Sequence, residues 1–140
     1  MIRKLAHLCF ITDDLDRMVH FYSSQLGLQV KFSFKNAEGE IFGHYLGCGD
    51  STFIEIFDRV LKHKQWGGEL QQYGGGSHYN HFCLEVTGLR ELKTTLEQKG
   101  LKLSEIVTGM DQSLQSWTSD PDGNPIELME YTHRSWQIQN

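Results

Sequence analysis

The sequence predicts an α+β fold of two tandem β-α-β-β-β modules, and three observations lead there. Two stretches resemble each other at a nearly fixed offset: LAHLCFI, a helix-patterned segment and STFIEIF are followed by YNHFCLEV, a second helix-patterned segment and NPIELMEY. His7 to His81 is 74 residues, Gly27 to Gly100 is 73 and Glu55 to Glu127 is 72, the spacing of an internal repeat. Within the apolar segments side chains alternate with the two-residue period of strands. At 140 residues the chain suits one compact domain, or two small modules sharing a core.

Residues 3–11 read as a strand with Leu5, His7, Cys9 and Ile11 on one face and Ala6, Leu8 and Phe10 on the other. Thr12 or Asp13 is suited to cap a helix over 14–26, whose apolar face carries Leu15, Met18, Val19, Tyr22 and Leu26. Gly27 supplies its left-handed stop. Strands are expected near 28–35, 40–47 and 51–58, completing a first module over about 1–59. Residues 60–78 read as an irregular linker, with Gly74-Gly75-Gly76 as a flexible joint or a lid. The second module, about 79–132, repeats the order: a strand over 79–86, Thr87 as helix cap, an apolar stripe of Leu89, Leu92 and Leu96, and a stop at Gly100. Strands near 102–108, 113–119 and 125–132 follow, the last after the turn signal Asp120-Pro121-Asp122-Gly123-Asn124. A tail, 133–140, ends the single domain.

Composition excludes several classes. Hydrophobic residues at 39% and charged residues at 22% fit neither a disordered chain nor a membrane span. A net charge of -5 offers nucleic acid no basic footprint. Cys9, Cys48 and Cys83 form an odd set without CxxC spacing, and no basic segment followed by an apolar run opens the chain. A cytoplasmic protein is the expectation.

Alternation then brings chemistry together. In Phe53-Ile54-Glu55-Ile56-Phe57, Ile54 and Ile56 are expected against a helix, leaving Phe53, Glu55 and Phe57 opposite. After Asn80, Phe82, Leu84 and Val86 face the helix, and His81, Cys83 and Glu85 face away. In the last strand Ile126 and Leu128 turn inward, leaving Glu127, Met129 and Tyr131. His7, Glu55, His81 and Glu127 thus share the non-helical face. Taken singly, each histidine reads as an interior or edge residue and Glu55 as a solvated one; the repeat makes them a set. Burying a carboxylate uncompensated costs on the order of several kcal/mol, so each needs a cation or a proton, and a bound divalent metal is the economical answer. One divalent ion per site (Ni, Co, Mn, Fe or Zn) suits two imidazoles and two carboxylates. Cys9 and Cys83, each two residues after a histidine, are expected to line the cavity. Phe53, Phe57, Trp117, Met129 and Tyr131 are expected to form an apolar wall for a small-molecule substrate, with Arg59 meeting an anionic group at the rim.

The His7 strand, FYSSQLGL, FIEIF, YNHFCLEV and above all SDPDGNPIELME resemble the vicinal oxygen chelate superfamily over nearly the whole chain. That group includes glyoxalase I, methylmalonyl-CoA epimerase, extradiol dioxygenases, and fosfomycin and bleomycin resistance proteins. The resemblance implies paired modules whose mixed sheets curl round a metal held from the first and fourth strand of each, at His7, Glu55, His81 and Glu127. Acyl-CoA epimerases usually carry glutamine at the position of Glu55, and dioxygenases and fosfomycin-type members use three protein ligands. The His-Glu-His-Glu set is similar to glyoxalase I. Ile11 and Arg59 stand where glutathione-specific glyoxalases carry arginine and asparagine, which sets a glutathione adduct in doubt. The implied activity is that of a lyase or isomerase: a metal-chelated substrate loses a proton next to a carbonyl, with Glu127 as first choice of base and Glu55 as second. Other metalloenzymes of the superfamily (an epimerase or dioxygenase) and a metal-free drug-binding protein are the alternatives. The resemblance also implies a homodimer with sites at the subunit interface, His7 and Glu55 from one chain meeting His81 and Glu127 from the other; closure within one chain is the alternative.

Overall fold

The computed structural model describes residues 3–70 and 80–139. Its contacts cluster into two compact units, Met1–Gly75 and Gly76–Asn140. The triple glycine at 74–76 lies outside the described residues.

The first unit contains β1 (His7–Thr12), α1 (Leu15–His20) running into a π-helical turn (Phe21–Gln25), β2 (Gln29–Lys35), β3 (Ile41–Gly47), β4 (Phe53–Asp58) and α2 (Arg59–Trp66). Its four strands lie in the order β1-β4-β3-β2, with β1 parallel to β4 and the other pairs antiparallel. Leu15, Met18, Phe21 and Tyr22 from the helix and Leu46, Ile54 and Ile56 from the sheet are buried. Each such side chain stabilises the fold by about 1.5–3 kcal/mol.

The second unit contains β5 (Phe82–Glu85), α3 (Leu89–Gln98), β6 (Val107–Thr108), β7 (Leu114–Ser119), β8 (Pro125–Glu130) and a 3₁₀ turn (Trp136–Ile138). Its order is β5-β8-β7-β6, again with the outer first strand parallel to the fourth. Leu89, Leu96, Phe82, Ile126 and Leu128 form its core. Gly27 and Gly100 both have positive φ, 83° and 90°, where the sequence expects helix stops.

Several local features differ from the sequence reading, among them the cap of α3, which is Gly88 at φ 64° and not Thr87. The cap of α1 is Asp14, whose side chain accepts from the Arg17 N–H at 3.1 Å, while the Thr12 hydroxyl accepts from the Asp14 N–H at 3.0 Å. The same helix widens after His20, with the Leu26 N–H donating to the Phe21 carbonyl at 3.0 Å; adjacent Phe21 and Tyr22 are both buried there. Residues 60–66, expected as irregular chain, belong to the helix α2, capped by the Asp58 carboxylate on the Leu61 N–H at 2.8 Å and ended by Gly67 at φ 68°. The strand expected over 102–108 is reduced to two residues. Hydroxyls take over there: Ser116 Oγ donates to the Ser104 carbonyl at 2.9 Å, Ser104 Oγ accepts from the Trp117 N–H at 2.9 Å, and Thr118 Oγ1 donates to the Lys102 carbonyl at 2.9 Å.

Candidate functional site

Parallel pairing of β1 with β4 sets Cys9 beside Glu55 and His7 beside Phe53. Antiparallel pairing with β3 adds Tyr45 on the other flank of Glu55. Since β-strand side chains alternate, His7, Cys9, Tyr45, Phe53 and Glu55 rise from one face. His7 Nε2 lies 3.8 Å from Glu55 Oε2. Behind it, His7 Nδ1 is 3.3 Å from the Tyr45 hydroxyl, and the two rings meet edge-on at 5.9 Å.

The second unit repeats the arrangement. Register sets Cys83 and Trp117 on either side of Glu127. His81, just before β5, brings Nε2 to 3.3 Å from Glu127 Oε2. Its Nδ1 is 2.6 Å from Asn80 Oδ1, and its ring meets the Trp117 indole edge-on at 4.7 Å. The Glu127 side chain is 7% exposed against 16% for Glu55, and the histidines are more open at 34% and 43%. Glu127 is therefore the better shielded carboxylate.

The donor set fits a divalent metal. Two donors each about 2.1 Å from one ion, at octahedral to tetrahedral angles, lie about 3.0–3.4 Å apart. The His81–Glu127 separation of 3.3 Å falls in that range, and the His7–Glu55 separation of 3.8 Å is slightly wider. Both exceed the usual length of an N–H···O bond. In each pair Nδ1 has a partner of its own, which leaves Nε2 directed at the carboxylate, the arrangement seen around metal-binding histidines. Among the described residues, no group of three or more His, Cys, Asp or Glu side chains converges on a metal position. Each unit brings together one imidazole and one carboxylate.

The neighbouring residues fall into three situations. Burial and then the Glu55 hydrogen bond push the Cys9 thiol up to about 12; burial and then the Glu127 charge do the same to Cys83. Both are neutral thiols near pH 7 and poor nucleophiles. Phe53 is half-buried and stacks beside Tyr45 at 4.9 Å, while Met129 and Tyr131 follow Glu127 along and beyond β8, with the Tyr131 phenol pushed up by burial. Phe57, in contrast, is fully enclosed by Phe34, Phe42 and Trp66, at centroid distances of 5.1, 5.9 and 5.2 Å. Arg59, the first residue of α2, donates from Nε to Asp13 Oδ1 at 2.8 Å.

Tyr45 and Asn80 escape the sequence reading. Trp117 minus the 72-residue offset of the glutamates is Tyr45, so the repeat itself contains that signal.

The family model of the Glyoxalase/Bleomycin resistance protein/Dioxygenase superfamily matches residues 4–128. A lactoylglutathione lyase from Salmonella typhimurium is 26% identical over 129 residues, covering 91% of this chain and 92% of its own. Among solved structures, SMU.1112c superposes with a TM-score of 0.75 at 22% identity, covering 93% of this chain and all of that one. A lactoylglutathione lyase from Agrobacterium tumefaciens gives 0.67 at 22% identity, with 91% and 92% covered. These structures share the arrangement of two four-stranded mixed sheets with helices. Among the described residues, no helix is long and apolar enough to cross a membrane.

Proposed function

The chain belongs to the Glyoxalase/Bleomycin resistance protein/Dioxygenase superfamily, and within it we propose a metal-dependent lyase or isomerase of glyoxalase type, acting next to a carbonyl of a small molecule. The observation that carries this reading is the twice-repeated His–Glu pair, at 3.8 and 3.3 Å, on the same face of each sheet. The name of the Salmonella relative, a lyase aligned over nine-tenths of both chains, supports it.

His7, Glu55, His81 and Glu127 would hold one divalent ion: nickel, cobalt, manganese, iron or zinc. When bound, such an ion supplies Lewis acidity that stabilises the negative charge left as a proton departs from carbon. The proton itself is moved by the chain. Glu127, the more enclosed carboxylate, is assigned as the base that takes it and returns it to the adjacent or same carbon. Glu55 is the second carboxylate and, in a two-base scheme, serves the opposite face. His7 and His81 would serve as ligands through Nε2. Phe53, Trp117, Met129 and Tyr131 offer the apolar contact for the substrate body, with Cys9 and Cys83 as neutral lining.

Glutathione is not assigned to the substrate. Ile11 has no cation to offer, and the Arg59 guanidinium is engaged by Asp13. Phe57, enclosed by Phe34, Phe42 and Trp66, backs this wall rather than meeting the substrate. We assign the assembled protein as a homodimer, in which His7 and Glu55 of one copy complete a site with His81 and Glu127 of the other, and place it in the cytoplasm.

Elemental analysis of protein purified without an affinity tag, beside Glu127→Gln, tests the reading. About one divalent ion per chain, reduced in the variant, is the expected result. It is to be joined by metal-dependent exchange of the proton next to the carbonyl in 2-hydroxy and 2-keto compounds. No metal in either sample after incubation with nickel, cobalt, manganese, iron and zinc salts overturns it and favours a binding protein.

A further inference from the structure

The two candidate ligand histidines are oriented by different residues, and the difference has a chemical logic. Tyr45 and Trp117 occupy matching places, each paired across the antiparallel ladder with the glutamate of its unit. Each ring lies edge-on to its histidine. A phenol oxygen accepts a hydrogen bond, whereas an indole N–H only donates. Trp117 therefore has nothing to offer an imidazole Nδ1–H. In that unit the residue before the histidine is Asn80, and its Oδ1 meets His81 Nδ1 at 2.6 Å. In the first unit the corresponding residue is Ala6, which has no acceptor on its side chain. There the Tyr45 hydroxyl meets His7 Nδ1 at 3.3 Å. One acceptor per histidine is present at Nδ1 in both units, supplied by a strand residue 38 positions away in one and by the preceding residue in the other.

We propose that Tyr45 is a positioning residue: with a cation shared between His7 Nε2 and Glu55, its hydroxyl accepts from His7 Nδ1–H and so holds the tautomer that leaves the Nε2 lone pair for the cation. The phenol is well placed for this, because its ring is fixed between Phe32 at 4.9 Å and 17° and Phe53 at 4.9 Å and 35°. Stacking accounts for the ring of Tyr45 but not for its hydroxyl. The exposed His7 imidazole has no comparable packing to hold it, being 43% accessible. Asn80 does the same for His81. The assignment rests on the proposed function, because without a cation the Glu55 carboxylate 3.8 Å from Nε2 would favour a proton there.

The test uses ¹⁵N-histidine-labelled full-length protein loaded with Zn²⁺, and long-range ¹H–¹⁵N spectra that report which ring nitrogen carries the proton. In the wild type His7 is expected as the Nδ1–H tautomer. Tyr45→Phe keeps the stacked ring and removes only the acceptor; it should move His7 toward Nε2–H and leave His81 unchanged. Asn80→Ala should produce the mirror result. Competition with a chelator for Co²⁺ should then show roughly 10-fold or greater weakening in Tyr45→Phe, the usual scale for loss of a hydrogen bond to a ligand histidine. A wild-type His7 already in the Nε2–H form, or a Tyr45→Phe spectrum unchanged at His7, overturns the proposal. Cobalt uptake left unchanged in Tyr45→Phe overturns the positioning role alone, whereas a wild type that takes up neither zinc nor cobalt overturns the metal reading.

Discussion

On the face of the first sheet that bears His7, rings from three strands touch in sequence: Phe32 on Tyr45, Tyr45 on Phe53, and Phe34 on Phe57, with Trp66 of α2 closing over Phe34 and Phe57. The corresponding part of the second unit has Trp117 against His81, but its outer strand is two residues long, and the chain before it is held to β7 by hydroxyl bonds of Ser104, Ser116 and Thr118. Near Met129 its side chains are amides and a carboxylate, with Gln137 bonded to Asp111 and 3.9 Å from the Met129 sulfur. The same strand order and the same His–Glu pair are thus held by aromatic packing in one unit and by polar bonds in the other. A repeat preserves what the site needs, the register that sets a carboxylate beside a cysteine and an aromatic ring, and leaves the supporting material free to vary.

The sharpest way to break the equivalence is at the carboxylates. With Glu127 as base, Glu127→Gln should lower metal-dependent proton exchange by about 10²–10⁴-fold, the usual contribution of a positioned acid or base. Glu55→Gln should cost less activity for a similar loss of metal. Measuring bound metal and exchange rate on both variants separates the roles. Equal losses of exchange would make the two half-sites chemically interchangeable, and a greater loss in Glu55→Gln would reverse the assignment.

Much of this arrangement is legible in the sequence because it rests on short-range periodicity. Ile54 and Ile56 alternate with Glu55, and Gly27 and Gly100 mark helix ends at equivalent places. The helix α2 is harder to see, although Asp58 and Gly67 are ordinary cap and stop residues. None of its residues is buried, so it lacks the apolar stripe by which a helix is recognised. Tyr45 is concealed for the opposite reason: an aromatic residue in a strand looks like ordinary packing until the offset from Trp117 is applied. The cap of α3 is out of reach of any local rule. Thr87 has the right chemistry for it, yet Gly88 is the capping position, and a carboxylate 42 residues away supplies the acceptor.

A second way to sharpen the comparison is to perturb the aromatic support alone. Gly43 lies under the Phe57 ring: a Cβ there would fall 2.6 Å from Phe57 Cε1 and 3.0 Å from the Ile56 carbonyl oxygen. Gly43→Ala should destabilise the protein by about 1–3 kcal/mol through overpacking, read as a shift in the urea midpoint. Adding Phe57→Leu should recover part of that loss. Without any recovery, the strain would lie against the Ile56 backbone rather than in the ring cluster.

The polar support of the second unit is tested at Glu130. Its two carboxylate oxygens accept from the Gly88 and Leu89 N–H groups, each at 2.9 Å, at the start of α3. These bonds hold the Glu130 carboxyl below the usual glutamate range. Because its folded-state value is depressed, the contribution is complete above the ordinary glutamate value and is lost as pH falls through the folded one. Glu130→Gln should therefore cost about 1 kcal/mol at neutral pH, the scale of a helix cap, and the gap from wild type should close in acid. A gap that persists unchanged to low pH would assign the effect to shape rather than charge.

The smallest effect is expected from the ion pair that fixes the start of α2. Arg59 Nε and Asp13 Oδ1 are 2.8 Å apart, but the Asp13 side chain is 54% exposed. Solvent and salt screen such a pair, so Asp13→Asn should cost no more than about 1 kcal/mol, and less as ionic strength rises. Its value lies in what it isolates. Asp58 caps α2 independently, so the helix should survive while the grip on Arg59 loosens. An unchanged KM for an anionic substrate would then show that Arg59 is structural, whereas a lowered KM would show that Asp13 competes with substrate for the guanidinium.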